Sequence, residues 1–297
     1  MSAPGPMPSL PGGVTLVSDP VDQLVVRTPQ SRAVVHLQGA QVTSWEPVGE
    51  PPVLFLSRSA QYVAGRPVRG GIPICFPWLG AGPARDRHPS HGFARVRRWQ
   101  LAAVREEDGA VVVVLELHDD EATREVWPHE FTARYEISVG QVLSLSLEVR
   151  NTGSEPMTFE ESLHNYFAVE DVARTRVEGL DGRTYVAGFR DAAAAARQSG
   201  PLRVTGAAEL VFHDDGEQLT VVDEVRPRRI RLTSRRSRST IVWNPGPQYV
   251  TSIRDMADDE WSRMLCVETA NVADQAVTLA PGETHTLGLE VAVAAAD

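Results

Sequence analysis

Lysine is absent from the 297 residues, so all 29 basic side chains are arginines. That absence excludes Schiff-base aldolases, pyridoxal-phosphate enzymes, protein kinases and Walker-A nucleotidases, all of which use a lysine amine for chemistry or for phosphate contact. Positive charge is also in deficit. Against 39 acidic residues the net charge is −10, a field that disfavours nucleic acid and anionic lipid as partners. Only two cysteines occur, Cys75 and Cys266, too far apart to read as a disulfide framework or a zinc spacing, and a reducing, cytoplasmic home is the default expectation. Long apolar runs are missing as well. The longest aliphatic stretch, residues 111–115, is far short of the roughly 20 residues needed to cross a bilayer. The start of the chain lacks both a basic segment and an apolar one, so residues 1–13, rich in proline, glycine and serine, read as a flexible tail and not a secretory signal.

What is present is period-two alternation. Leu143, Leu145, Leu147 and Val149 interleave with Ser144, Ser146 and Glu148, and residues 131–139 alternate in the same way across a Gly140-Gln141 turn, which predicts a hairpin. Further strands are expected over 24–28, 33–45, 53–56, 99–104, 110–117, 157–169 and 174–180. Later ones are expected over 219–222, 229–233, 240–244, 264–270 and 285–294. Short polar turns such as Asp108-Gly109 and Pro281-Gly282 separate them. Helical signal is confined to an alanine run over 191–198 and a turn over 258–263. Without a βαβ rhythm, the expected fold class is all-β: one antiparallel β-sandwich over residues 14–297 with little helix.

Three stretches can carry chemistry. In the first, Arg69-Gly70-Gly71-Ile72-Pro73 and then Ser90-His91-Gly92-Phe93-Ala94-Arg95, the glycines would let backbone approach a ligand while Arg69, His91 and Arg95 donate to an anion or to sugar hydroxyls. A solvated surface loop is the plain alternative. His88 and His91 suggest a metal pair, but no third ligand stands nearby at a recognisable spacing, so no metal is expected. In the second stretch His164 lies among aromatic residues, downstream of Glu160 and Glu161, whose charge would raise its pKa toward that of a general acid. A core histidine satisfied by a carbonyl is the alternative there. The third stretch, 263–272, places Glu268 inside an apolar strand, where a carboxylate is either paired or positioned as a base. Upstream of it, Trp243 and Asn244 suit carbohydrate, although a lone tryptophan is more often core.

Taken in order, Arg69-Gly-Gly-Ile-Pro with Phe76-Pro77, His91-Gly-Phe-Ala-Arg95, Leu163-His-Asn-Tyr-Phe167, Val242-Trp-Asn-Pro245 and Cys266-Val-Glu-Thr-Ala-Asn271 resemble the hexose-6-phosphate mutarotases, or glucose-6-phosphate 1-epimerases, of the aldose 1-epimerase superfamily. The similarity is collinear over almost the whole chain. It implies a galactose-mutarotase-like β-supersandwich and cofactor-free exchange of the α and β anomers of a phosphorylated hexose. It also implies a catalytic His164 and Glu268, phosphate-contacting Arg69 and Arg95, and a His91 that meets the substrate. Ser90 stands where relatives commonly have glutamine, and Glu209 where an aspartate is expected. Independently of the family, mutarotation needs a base for the anomeric hydroxyl and an acid for the ring oxygen, roles assigned here to Glu268 and His164. The expected partner is a small sugar phosphate, with no nucleic acid or membrane, and the chain is expected to be a monomer. The rivals are an epimerase of free sugars and a non-catalytic sugar-binding module on the same fold.

Overall fold

Alternation becomes strand wherever it runs longest. In the computed structural model, which describes residues 8–189, 194–213 and 217–295, Phe131–Val139 and Leu143–Asn151 pair antiparallel with Val139 opposite Leu143, and every second side chain is buried. They belong to a nine-stranded antiparallel sheet. Its order is Leu202–Arg203, Thr175–Glu178, Gln218–Asp223, Arg228–Arg235, Thr284–Ala295, Leu143–Asn151, Phe131–Val139, Ala110–His118, Gln100–Glu107.

A second antiparallel sheet has eight strands, labelled here β1 (Ile74–Cys75), β2 (Glu161–Leu163), β3 (Tyr166–Ala168), β4 (Thr184–Ala187), β5 (Ala196–Arg197), β6 (Ala208–His213), β7 (Ser239–Asn244) and β8 (Met264–Asn271). Their order is β5-β4-β6-β7-β8-β2-β1, with β3 also paired to β8. Ile74, Leu163, Val242 and Val267 from this sheet share one core with Tyr135, Leu145, Ile230 and Leu287 from the other, and with Val35 and Trp45 from a four-stranded sheet near the N-terminus. The architecture is therefore all-β, layered and antiparallel, with little helix.

β8 explains why a carboxylate can sit in an apolar strand. Every residue of it is buried, so both of its faces are covered. Leu265 and Val267 point into the sandwich core, while Cys266 and Ala270 lie in two separate small clusters on the opposite face. By the same alternation Glu268 lies on that opposite face.

Several expectations need correction. Residues 33–45 are not one strand but parts of two, Ser31–His36 and Val42–Pro47, folded as a hairpin. The stretch 157–169 breaks into Met157–Phe159, β2 and β3, because its first piece pairs with Val277–Leu279 and the others with β8. Of the alanine run over 191–198, residues 191–193 lie outside the described residues, and the rest holds β5, a two-residue edge strand, rather than helix. The longer of the two α-helices among the described residues, Glu121–Val126, is too short for a periodic signal. It begins at an Asp120 cap, whose side chain accepts from Thr123 N at 2.8 Å, and it delivers Trp127 to the core. Within residues 8–13, Leu10 packs on the core and Gly13 O accepts from Arg27 N at 2.8 Å.

The loops that bear Arg69 and His91 are fixed by backbone crowding. Gly70 and Gly71 have positive φ, and a Cβ on either would fall 2.3 Å from Phe55 O or 2.2 Å from Val42 O, so these glycines serve close strand contact and not ligand approach. Gly92, at φ +77°, would put a Cβ 2.0 Å from Phe76 O. Phe76 itself is held edge-on by Phe93, Trp127, Phe131 and Phe159. Gly92→Ala should therefore lower Tm by several degrees, on a scale of about 2–4 °C per kcal/mol for a large domain. Gly282→Ala, equally left-handed at φ +81° but with open space around it, should cost less. Equal shifts in thermal melts of the two variants would contradict the packing argument.

Candidate active site

The outer face of the eight-stranded sheet is the floor of a cavity of about 1100 Å³. Register sets this floor. Glu209 on β6 is opposite Trp243 on β7, Trp243 is opposite Cys266 on β8, and Ile241 is opposite Glu268. Arg69, Ser90, His91, Arg95, His164, Glu209 and Glu268 all line this one cavity, although the sequence scatters them over 200 positions.

His164 occupies the break between β2 and β3. Its backbone N donates to Pro73 O at 3.0 Å, and Asn165 bridges to β8 by donating from Nδ2 to Val267 O at 2.9 Å. The imidazole stacks on Tyr166, centroids 4.7 Å apart and 8° from parallel, with Trp243 edge-on at 6.1 Å. Its Nε2 lies 3.3 Å from Glu268 Oε1, and its Nδ1 is buried without a hydrogen-bond partner. Glu268 Oε2 accepts from Ser162 Oγ at 2.7 Å.

Burial, reinforced by the charges of Arg95 and Arg69, pushes the His164 pKa down to about 3, and burial pushes Glu268 up to about 8, with Glu209 adding to the rise. This reverses the expectation that Glu160 and Glu161 keep His164 protonated. Those carboxylates are engaged elsewhere: Glu160 accepts from Leu79 N and Ala273 N, and Glu161 pairs with His285 at 2.9 Å and Asn271. Over the intervening pH range the His164–Glu268 pair therefore holds one proton in total, resting on Glu268 in the free site.

The two arginines differ. Arg69 donates from Nε to Asp255 Oδ1 at 3.1 Å and from Nη1 to the Tyr166 hydroxyl at 3.1 Å, so its charge is largely answered within the protein. Arg95 gives Nη2 to Ser90 O at 2.8 Å, its Nε is sealed from solvent without an acceptor, and it has no ion pair among the described residues. Burial lowers its pKa, the mark of a cation held in an enclosed place. Ser90 thus meets Arg95 through its carbonyl, while its side chain is exposed. His91, held at φ +62°, accepts from Gly80 N at Nδ1 and meets the His164 ring edge-on at 5.8 Å; burial and Arg95 keep it neutral. Although Tyr166 stands inside the Leu163–Phe167 motif, no role is given to it, Asp255 or Ser162 in the sequence reading. Tyr166 was within reach of it, two residues past His164, whereas Asp255 comes from a loop with no pattern of its own.

Comparison with known proteins fits this geometry. A profile of the aldose 1-epimerase family matches residues 22–292. The chain belongs to the aldose 1-epimerase family. A Salmonella typhimurium protein provisionally named glucose-6-phosphate 1-epimerase is 37% identical over 251 residues, 84% of this chain and 83% of that one. A protein of Escherichia coli K12 with the same provisional name is 35% identical over 256 residues, 86% and 85% of the two chains. The crystal structure of a provisionally assigned mutarotase, YeaD, from Salmonella typhimurium superposes with a TM-score of 0.89 at 33% identity, covering 97% of this chain and 96% of that one. The protein is thus an isomerase of the aldose epimerase kind. No helix among the described residues is long and apolar enough to cross a membrane, and these residues hold no cluster of three or more metal-ligating side chains.

A pair that works with a single shared proton loses it as pH rises through the upper pKa. The specificity constant for anomer exchange should therefore hold through neutral pH and fall above about pH 8, where Glu268 gives up its proton. A profile that falls already through pH 6.5, as an ordinary imidazole would dictate, would contradict this account.

Proposed function

We propose that this epimerase interconverts the α and β anomers of a hexose 6-phosphate. The observation that carries the phosphate is Arg95: a guanidinium that has no carboxylate partner and no acceptor for its Nε among the described residues, in the same cavity as the His164–Glu268 pair. A half-buried cation in that state favours an anionic ligand, and in a lysine-free chain arginine supplies the planar donors that match phosphate oxygens. Arg69, with the N–H groups that Asp255 and Tyr166 leave free, adds a second contact.

The mechanism follows from the proton count. A hemiacetal carries its anomeric hydroxyl and its ring oxygen on one carbon, so both meet Glu268 Oε1 and His164 Nε2, which lie 3.3 Å apart. Burial, with Arg95 and Arg69 adding to it, holds His164 deprotonated; a bound phosphate dianion offsets the arginine part, and the proton moves from Glu268 to His164. Glu268 then takes the proton of the anomeric hydroxyl while His164 protonates the ring oxygen, and the ring bond to the anomeric carbon breaks. The open aldehyde turns about the bond to carbon 2. Reclosure runs the transfers in reverse on the other face of the carbonyl. His91 and Glu209, which line the same cavity, supply polar contacts to the sugar hydroxyls.

The test is the ratio of specificity constants for glucose 6-phosphate and glucose, measured by NMR exchange between anomers. A charge-assisted contact is worth about 1.5–3 kcal/mol, so Arg95→Ala should cut the ratio by about one to two powers of ten, and Arg69→Ala by less because Asp255 already shares its charge. An unchanged ratio in Arg95→Ala would return the enzyme to the free-sugar epimerases.

A further inference from the structure

Glu268 has two oxygens, and only one of them faces the reacting pair. Oε1 meets His164, while Oε2 accepts the hydroxyl of Ser162 at 2.7 Å. Ser162 is fully buried and sits on β2 opposite Ala270 of β8 and Cys75 of β1. Glu268 lies two residues from Ala270 on the same face, so the hydroxyl reaches it as a diagonal cross-strand neighbour. Neither Ala270 nor the Cys75 thiol, held protonated by burial, competes as an acceptor, and among the described residues Ser162 Oγ makes no other hydrogen bond.

We propose that Ser162 is a positioning residue for epimerisation: its hydroxyl fixes the Glu268 carboxylate by Oε2, turning Oε1 toward His164 and the anomeric hydroxyl and favouring the charged form needed of the base. The ionisable groups around that carboxylate are His164 from the β2–β3 break, Glu209 of β6, Arg95 from the His91 loop, Cys75 of β1 and Cys266 of β8. Ser162 is the neutral donor in this set, and its proton stays on the serine at every step. An uncharged donor that stabilises the carboxylate counters part of the rise that burial and Glu209 impose.

The inference rests on the acid–base reading of His164 and Glu268, and the two fail separately. If Glu268→Gln turns over glucose 6-phosphate at the wild-type rate, the acid–base reading falls. With that reading intact, Ser162→Ala should lower kcat about tenfold, change KM less than twofold, and move the alkaline limb of the pH profile upward by about one unit, because loss of a hydrogen bond to the charged form raises the Glu268 pKa. An alkaline limb that stays at its wild-type position, whatever the rate, or a rise in KM alone, overturns the proposal. Should the alanine variant not fold, Ser162→Cys keeps the shape with a weaker donor, and its limb must move in the same direction. A limb unmoved in that variant is equally decisive against it.

Discussion

A histidine and a glutamate 3.3 Å apart would form an ion pair in water, but this pair is buried, and the difference governs the site. Separated charge is expensive where solvent is excluded, so the neutral arrangement, with the proton on the carboxyl, is favoured until something in the cavity changes the field. The sheet architecture makes that burial possible. β8 is covered by the sandwich core on one face and by cavity walls on the other, and the break between β2 and β3 lets His164 reach over the same face. Neither residue has its chemistry without the other's position.

The absence of lysine shapes the rest of the field. An arginine stays charged when enclosed, where a lysine would shed its proton, so the cavity holds permanent positive charge next to a histidine that burial already keeps neutral, and adds to that effect. Arg69 is tied to Asp255 and Tyr166, which makes it a rigid wall of the cavity. Arg95 is anchored only by Ser90 O and leaves its charge for a ligand. One fixed and one available guanidinium give the site both shape and appetite for an anion.

Much of this was legible in the sequence, for physical reasons. The alternation of Leu143–Asn151 dictates a half-buried strand, and a glutamate within 264–270 demands an explanation other than solvent exposure. Breaks inside apolar stretches were not legible. The hairpin within 33–45 turns at Gly39 and Ala40, both with positive φ, and nothing in the alternation marks it. Strands β4 and β6 show no clean alternation of buried and exposed positions and so do not stand out, although β6 places Glu209 on the cavity floor. The protonation of His164 is not legible in the sequence because proximity along the chain to Glu160 and Glu161 is not proximity in space: successive strand residues face opposite ways, and the carboxylate that matters comes from β8.

The central claim is the location of one proton, and nitrogen NMR of the His164 side chain reads it directly. The account predicts a neutral imidazole in the free protein at pH 7, turning toward imidazolium when a hexose 6-phosphate analogue lacking the anomeric hydroxyl fills the cavity. An imidazolium already present in the free protein at that pH, or a neutral ring that no phosphorylated ligand alters, would contradict it.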